Sequence, residues 1–449
     1  MMATHAELEA RISDWRGYVL RRQAISAGDV DELEDHLRDQ VADLQATGLD
    51  DEEAFLIGIK RLGNLDAVSR EFAREHSERL WKQLVLVPEA SQGASPWPWR
   101  ELSVVLALAV GAGVAVKAGL TWFDADTFAR NLALLVVPFV GAYFVWKRRL
   151  TVRQTAALLG PLVVLAVVAN VYPFDQGGST DVLVALHAPV VMWLLAGLAY
   201  VGLRWRSDGR RMDFVRFTGE LVIYVALLAL GGGVLVGLTV AVMQLVGTDA
   251  EPLVARWVLP FAVPGAVVVA AWLVEAKKDV VENIAPVLTR IFTPLTIVML
   301  LAVLGALAAA GGLVEVDRDL LILMDAILVL VVGLLLYSIS ARDPLAPPGL
   351  FDALQLALVA AALAVDVVML AAMVTRIAEL GSSPNKVAAL GLNLLLLVHL
   401  GRAAWLTGGF VRRRRAFGTL ERWQTRYLPV YALWAAVVVL AFPPLFRFV

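Results

Sequence analysis

Apolar positions along this 449-residue chain follow two regimes. Through about residue 90 they recur every three or four positions among charged ones: Leu8, Ile12, Trp15, Val19; then Val30, Leu33, Leu37, Val41, Leu44; then Phe55, Ile59, Leu62; then Val68, Phe72, Leu80. That is the period of amphipathic helices. The punctuation agrees with it. Thr4 and Glu7 have capping-box spacing, Gly48 stops the second stripe, Asp50 and Glu53 open the third, Gly63-Asn64 closes it and Asp66 caps the fourth. Four short stripes of this kind need one another to be buried, so the spacing predicts a small helical bundle over 1–90.

From Ser103 the pattern changes to apolar runs of about the 20 residues that cross a ~30 Å hydrocarbon core. Eleven are legible, near 103–122, 131–146, 155–173, 182–203, 220–246, 257–276, 292–313, 319–339, 351–375, 387–406 and 428–446. Between the regimes, Ser91–Trp99 has linker composition and ends in tryptophans suited to a membrane interface. The expected architecture is all-α: a cytoplasmic four-helix domain over 1–90, a linker over 91–100 and a polytopic α-helical membrane domain of about eleven spans over 101–449. A segment near 278–291, with Val280, Val281, Ile284, Val287, Leu288 and Ile291 at helical spacing, reads as an interfacial helix.

Composition sharpens this. The chain is 59% apolar and 18% charged, whereas soluble domains run at roughly 45–50% and about 25%. Residues 1–90 hold 19 acids against 11 bases, leaving 22 acids and 28 bases to the remainder. No apolar signal segment occupies the first thirty residues, so the acidic head is expected in the cytoplasm. With the head inside, the inner loops carry 19 Lys and Arg and the outer loops and tail six, which is the positive-inside asymmetry. It predicts a carboxy terminus outside a bacterial inner membrane. The run Arg412–Arg415 fits retention by anionic lipid better than nucleic acid. The absence of cysteine removes disulfides and thiolate metal sites. No serine-hydrolase, Walker, HExxH or dinucleotide-loop pattern occurs, so the chain reads as non-enzymatic, with no cofactor and no catalytic or metal site.

Two stretches have familiar strings. Glu32-Leu33-Glu34-Asp35-His36-Leu37, Gly48, Glu52-Glu53-Ala54-Phe55 and Arg61-Leu62-Gly63-Asn64 resemble the bacterial permease prefix domain, itself similar to the HAAS helical domain. That resemblance implies a regulatory or docking module preceding a membrane region, with a PadR-type regulator as the kind of cytoplasmic partner. Asn283–Leu288, Tyr337–Asp343, Asn385–Asn393 and Glu421–Pro429 look like segments of a family of bacterial polytopic membrane proteins without an assigned function. No site is carried over from it.

Polar residues inside the runs are the candidate site, because a charge at mid-bilayer costs roughly 2.5–3.5 kcal/mol on the lenient insertion scale. Asp325, Asp366 and Asn393 fall in one outer-half layer, with Lys117 the only basic residue at comparable depth and a candidate counter-ion. Asp352, Gln355 and Asp366 lie within about 60° on one helix face at ~100° per residue. A second layer nearer the inner boundary holds Glu220, Glu275, Asp352, His399 and Arg402, the last two at i, i+3. These groups read either as a proton or ion pathway or as interhelical glue. Gly231-Gly232-Gly233 reads as close helix packing or a hinge. Function at this level divides between a membrane sensor or regulator acting on a cytoplasmic partner and a secondary transporter with proton- or ion-coupled carboxylates.

Overall fold

A computed structural model describes residues 99–276, 285–309 and 318–449, and in the amino-terminal part 8, 9, 12, 16, 27–46, 49–51, 53–55 and 57. The described residues form helices and no strand. The chain divides into two compact units, Met1–Trp97 and Pro98–Val449.

In the first unit, helix α1 (Ala27–Ala46) buries Leu37, Val41 and Leu44 with Leu8, Ile12, Ala54 and Phe55. Asp50 caps the third stripe, its carboxylate accepting from the Glu53 amide at 2.7 Å. Arg38 on α1 donates to Glu9 at 2.6 and 2.9 Å and to Glu34 at 2.8 Å, and these two carboxylates hold its guanidinium above the ordinary value. The predicted caps at Thr4 and Asp66, the Gly63-Asn64 turn, the fourth stripe and the linker up to 98 lie outside the described residues.

The second unit comprises α2 (Trp99–Trp122), α3 (Ala125–Lys147), α4 (Val152–Val171), α5 (Ser179–Tyr200), α6 (Asp208–Leu245), α7 (Glu251–Ala276, with a π-helical turn at Val254–Val258), α8 (Ala285–Ala309), α9 (Arg318–Ser340), α10 (Leu350–Leu380), α11 (Pro384–Val411), α12 (Phe417–Leu440) and the short α13 (Phe442–Leu445). Among the described residues ten helices, α2 to α11, are long and apolar enough to cross a membrane. The eleventh run forms the second half of α12, whose first half carries Glu421, Arg422, Gln424 and Arg426 and keeps it out of the ten. The separate interfacial helix read near 278–291 is a correction: residues 285–291 are the opening turns of α8, and the remainder lies outside the described residues.

Ion pairs and caps show how the helices run. At one end, Glu101 of α2 meets Lys147 of α3 and accepts from the Tyr143 hydroxyl at 3.0 Å. Arg148 pairs with Glu275 at the end of α7 at 3.0 Å and donates to the Tyr200 carbonyl at the end of α5 at 2.9 Å. Arg216 near the start of α6 donates to the Ser340 carbonyl at the end of α9, and Arg426 on α12 reaches Asp208 at the start of α6 at 3.3 Å. Helix starts and helix ends thus alternate at this basic end. At the opposite end Arg130 of α3 pairs with Asp181 of α5 at 2.6 Å and donates to the Ala169 carbonyl of α4. Asp124 caps α3, and bonds from the Thr127 amide and hydroxyl hold its carboxyl below the usual carboxylate range. The carboxy terminus closes here too, the Thr180 amide donating to the Val449 carbonyl at 2.7 Å. The terminal residue therefore lies at the end opposite the basic one.

Two large apolar clusters and two smaller ones fill the space between. One large cluster joins α2 to α5, α7 and the first turns of α6; the other joins α8 to α12, again with the first turns of α6; the smaller ones join α4, α5, α11, α12 and α13. Helix α10 is the most enveloped, with Leu358, Val359, Ala362, Val365 and Met369 wholly inaccessible. Helix α6 is the reverse. It is continuous over 38 residues, yet its buried residues end at Leu221 and Leu227, Leu230, Val234, Leu235 and Leu238 are exposed. A Cβ placed on Gly231, Gly232 or Gly233 would meet nothing within 4 Å, so the glycine run does not pack closely against a described residue, which corrects the close-packing reading, and the helix continues through it.

Burial separates the ion pairs by worth. Removing one partner of a buried pair costs about 3–5 kcal/mol because the other charge stays desolvated, whereas exposed pairs contribute about 0–1 kcal/mol. Asp181 and Arg130 are 4% and 11% exposed, while Arg426 is 65% exposed. Unfolding in detergent is expected to show Asp181→Asn destabilised by several kcal/mol and Arg426→Gln by less than about 1.

Candidate functional site

The polar face read along α10 is present, and its members have separate uses. Asp352, in the first turn, accepts from the Gly349 amide at 2.8 Å and pairs with Arg342 at 2.8 and 3.2 Å. Arg342 in turn lies 4.6 Å from the ring centroids of both Phe410 and Phe417. That clamp joins the α9–α10 loop to the α11–α12 corner. One turn on, Gln355 donates from Nε2 to Thr293 of α8 at 3.1 Å and Ser338 of α9 at 2.9 Å. Both are glue of the kind expected between helices in lipid.

Asp366 is different. It is 0% exposed, and neither carboxyl oxygen has a hydrogen-bond partner among the described residues. It sits about 24 Å along α10 from Leu350 and about 21 Å from Leu380, at ~1.5 Å per residue. Asp325 of α9 and Tyr431 of α12 are close enough to interact with it electrostatically. The expected pairing with Lys117 does not occur. Lys117 belongs to the other core, where its ammonium donates to the Arg256 carbonyl at 2.7 Å and lies 4.7 Å from the Trp257 ring centroid. Equal depth along the membrane normal placed the two at one level without placing them on neighbouring helices.

Asp325 and Asn393 do meet. The Asn393 amide nitrogen donates to the Asp325 carboxylate at 2.8 Å and to its own helix at Ala389, leaving Asn393 Oδ1 buried and unbonded. Six residues deeper on α11, His399 is fully buried between α11 and α12. Its Nδ1 bonds the Tyr431 hydroxyl at 2.7 Å, its Nε2 bonds Gln424 Oε1 at 2.8 Å, and its ring stacks on Tyr427 at 4.7 Å. A neutral imidazole protonated on Nε2 satisfies both bonds. Arg402 does not share this site: it points outward over Trp405 and Trp423. Of the remaining inner-layer residues, Glu275 is taken by Arg148, and Glu220 is buried at the start of α6.

The polar groups at the centre of the carboxy-terminal core are therefore Asp325 and Asn393, then Asp366 with Tyr431, then His399 and Gln424. Sequence reasoning missed Gln424, Tyr427 and Tyr431 because none carries a formal charge. Their spacing of three and four residues on one stripe of α12 was the available signal. Among the described residues no three acids or imidazoles gather as a metal site. A cavity of about 490 Å³ beside α3, α4 and α5, lined by Val137, Leu158, Leu162, Met192 and Ala196, contains none of the site residues. Comparison with protein-family models, curated proteins and solved structures finds no match to this chain.

Stability discriminates the roles. Asn393→Leu leaves the Asp325 carboxyl without its donor and is expected to cost about 1–3 kcal/mol. Asp366→Asn breaks no described bond and is expected to change unfolding in detergent by less than about 1 kcal/mol. A loss at Asp366 as large as that at Asp181 would reveal a charged partner.

Proposed function

We propose that the chain is a proton-responsive regulatory protein of the bacterial inner membrane, in which an eleven-span body senses the state of the membrane or envelope and a cytoplasmic head passes it on. The observation that supports this reading best is Asp366, a mid-helix acid wholly buried in the carboxy-terminal core with neither oxygen bonded among the described residues. An ionised carboxylate in such surroundings is prohibitively costly, whereas a neutral carboxylic acid is tolerated. The packed arrangement thus suits one protonation state, and the other requires water or helix movement around α9, α10, α11 and α12. That is a two-state element biased by a proton.

The head fits the output role. Its resemblance to the permease prefix domain favours docking of a cytoplasmic protein, with a PadR-type regulator as the candidate. The excess of Lys and Arg at the basic end supports a cytoplasmic amino terminus and an outside carboxy terminus, with α12 as the eleventh span. A secondary transporter is the second reading, favoured by the succession of polar groups from Asp325 through Asp366 to Gln424.

Two experiments test these statements. Reporters fused within 204–216 and after Val449 are expected on opposite sides of the membrane, inside and outside respectively; the same side for both would remove one span. Hydrogen exchange of the full chain in nanodiscs is expected to change in α9–α12 between acidic and alkaline pH in the wild type and not in Asp366→Asn. An exchange pattern indifferent to pH in both would refute the switch. Proton uptake by proteoliposomes that Asp366→Asn abolishes would establish the transporter instead.

A further inference from the structure

Five arginines of the membrane unit stack on aromatic rings, and they fall into two groups. Arg130, Arg148 and Arg342 lie 4.8, 5.0 and 4.6 Å from the ring centroids of Phe174, Tyr200 and Phe410, and each also has a carboxylate: Asp181, Glu275 and Asp352. Arg402 lies 5.0 Å from the Trp405 centroid and 5.3 Å from that of Trp423, and Arg415 lies 3.5 Å from the Trp405 centroid. Neither has an acidic partner among the described residues. Two positive charges thus converge on one indole with no carboxylate beside them among the described residues.

Their position makes the missing anion informative. Leu394, Val398, Arg402 and Trp405 follow one another at intervals of four, four and three residues along α11, so they share one stripe. Leu394, Val398 and Trp405 are 48%, 55% and 52% exposed, and Arg402 is exposed among them. This stripe faces outward from the bundle. On a membrane-crossing helix that surface meets lipid, where an unneutralised guanidinium is costly. Arg415 comes from beyond the helix end and folds back over Gly409, where a Cβ would meet its Cδ at 2.6 Å. Glycine at 409 leaves the room that brings the second guanidinium over Trp405.

We infer that Arg402 and Arg415, framed by Trp405 and Trp423, form a site for the phosphate of an anionic phospholipid in the leaflet at the basic end of the body. Guanidinium groups bind phosphate oxygens in bidentate fashion, and aromatic rings at the headgroup level are the usual company of such sites. The acyl chains lie along Leu394 and Val398. This goes beyond non-specific attraction of the Arg412–Arg414 run, whose exposed side chains have no ring to fix them, because it assigns a defined headgroup to two oriented residues.

Native mass spectrometry and thermal unfolding of the full chain in neutral detergent test the site, with phosphatidylglycerol, phosphatidylcholine and inorganic phosphate as probes. Phosphatidylglycerol is expected to remain bound and to raise the unfolding temperature, and phosphatidylcholine and inorganic phosphate to do neither. Arg402→Gln and Arg415→Gln are each expected to weaken phosphatidylglycerol binding about tenfold, the loss of a charge-assisted contact. Arg412→Gln and Arg413→Gln are expected to change it by about twofold or less, as for unfixed surface charges. Wild-type retention in both Arg402→Gln and Arg415→Gln would overturn the proposal. So would equal retention of phosphatidylcholine, or equal stabilisation by inorganic phosphate, which would indicate a free-anion site.

Discussion

Hydrocarbon cannot solvate a charge, and the membrane unit is arranged around that constraint. Its spans are joined at their ends by groups that would otherwise be desolvated: Glu101 to Lys147, Arg148 to Glu275 and to a helix-end carbonyl, Arg342 to Asp352, Arg130 to Asp181. Each contact joins the terminus of one helix to the terminus of another at the same level. The helix directions are therefore fixed where the charges are, and the middle is left to shape. In lipid there is no hydrophobic gain from bringing apolar helices together, so packing and a few buried hydrogen bonds must supply the cohesion. Gln355 between Thr293 and Ser338, and His399 between Tyr431 and Gln424, do this for α8–α12.

Against this background the exceptions carry the functional content. Asp366 lies inside without a hydrogen-bond partner among the described residues, and the proposed proton response rests on that. Arg402 and Arg415 lie over outward-facing tryptophans without a carboxylate partner among the described residues, which is what the proposed lipid site rests on. The second half of α6 has no charge to satisfy, and its exposed apolar surface suits a membrane-crossing helix. One constraint frames all three, because a polar group in such surroundings needs a neighbour to satisfy it and an apolar surface does not.

Much of this was legible in the amino-acid sequence, and the boundary of legibility is physical. Run lengths and the placement of Lys and Arg reveal helices and their alternation because membrane thickness and charge cost act on each segment independently. Depth along the normal is also legible, which is why Asp325 and Asn393 were expected at one level and are bonded. Lateral neighbourhood is not. Lys117 and Asp366 share a depth but belong to different cores, since nothing in a run of apolar residues says which helix stands beside it. His399 and Arg402 show a finer limit: three residues turn a helix by about 60° from full register, enough here to carry one side chain inward and the other out. Neutral polar residues escaped as well. Gln424 and Tyr431 partner His399, yet a search ordered by formal charge passes over both.

The complete burial of Asp366 bears on which functional reading it favours. A transporter needs an aqueous path to its coupling residue in at least one state, and from this arrangement such a path to Asp366 would require helix movement. A regulator needs only that the two protonation states prefer different packings. Helices α9 and α12 contribute Asp325 and Tyr431, the groups that interact with Asp366, and both helices are tied at the basic end through Ser340, Phe417 and Arg426. A rearrangement around the acid is therefore coupled, through rigid helices, to the end from which the basic loops project. Tight packing favours transmission of this kind, because a core at crystal-like density shifts between discrete arrangements and does not deform gradually.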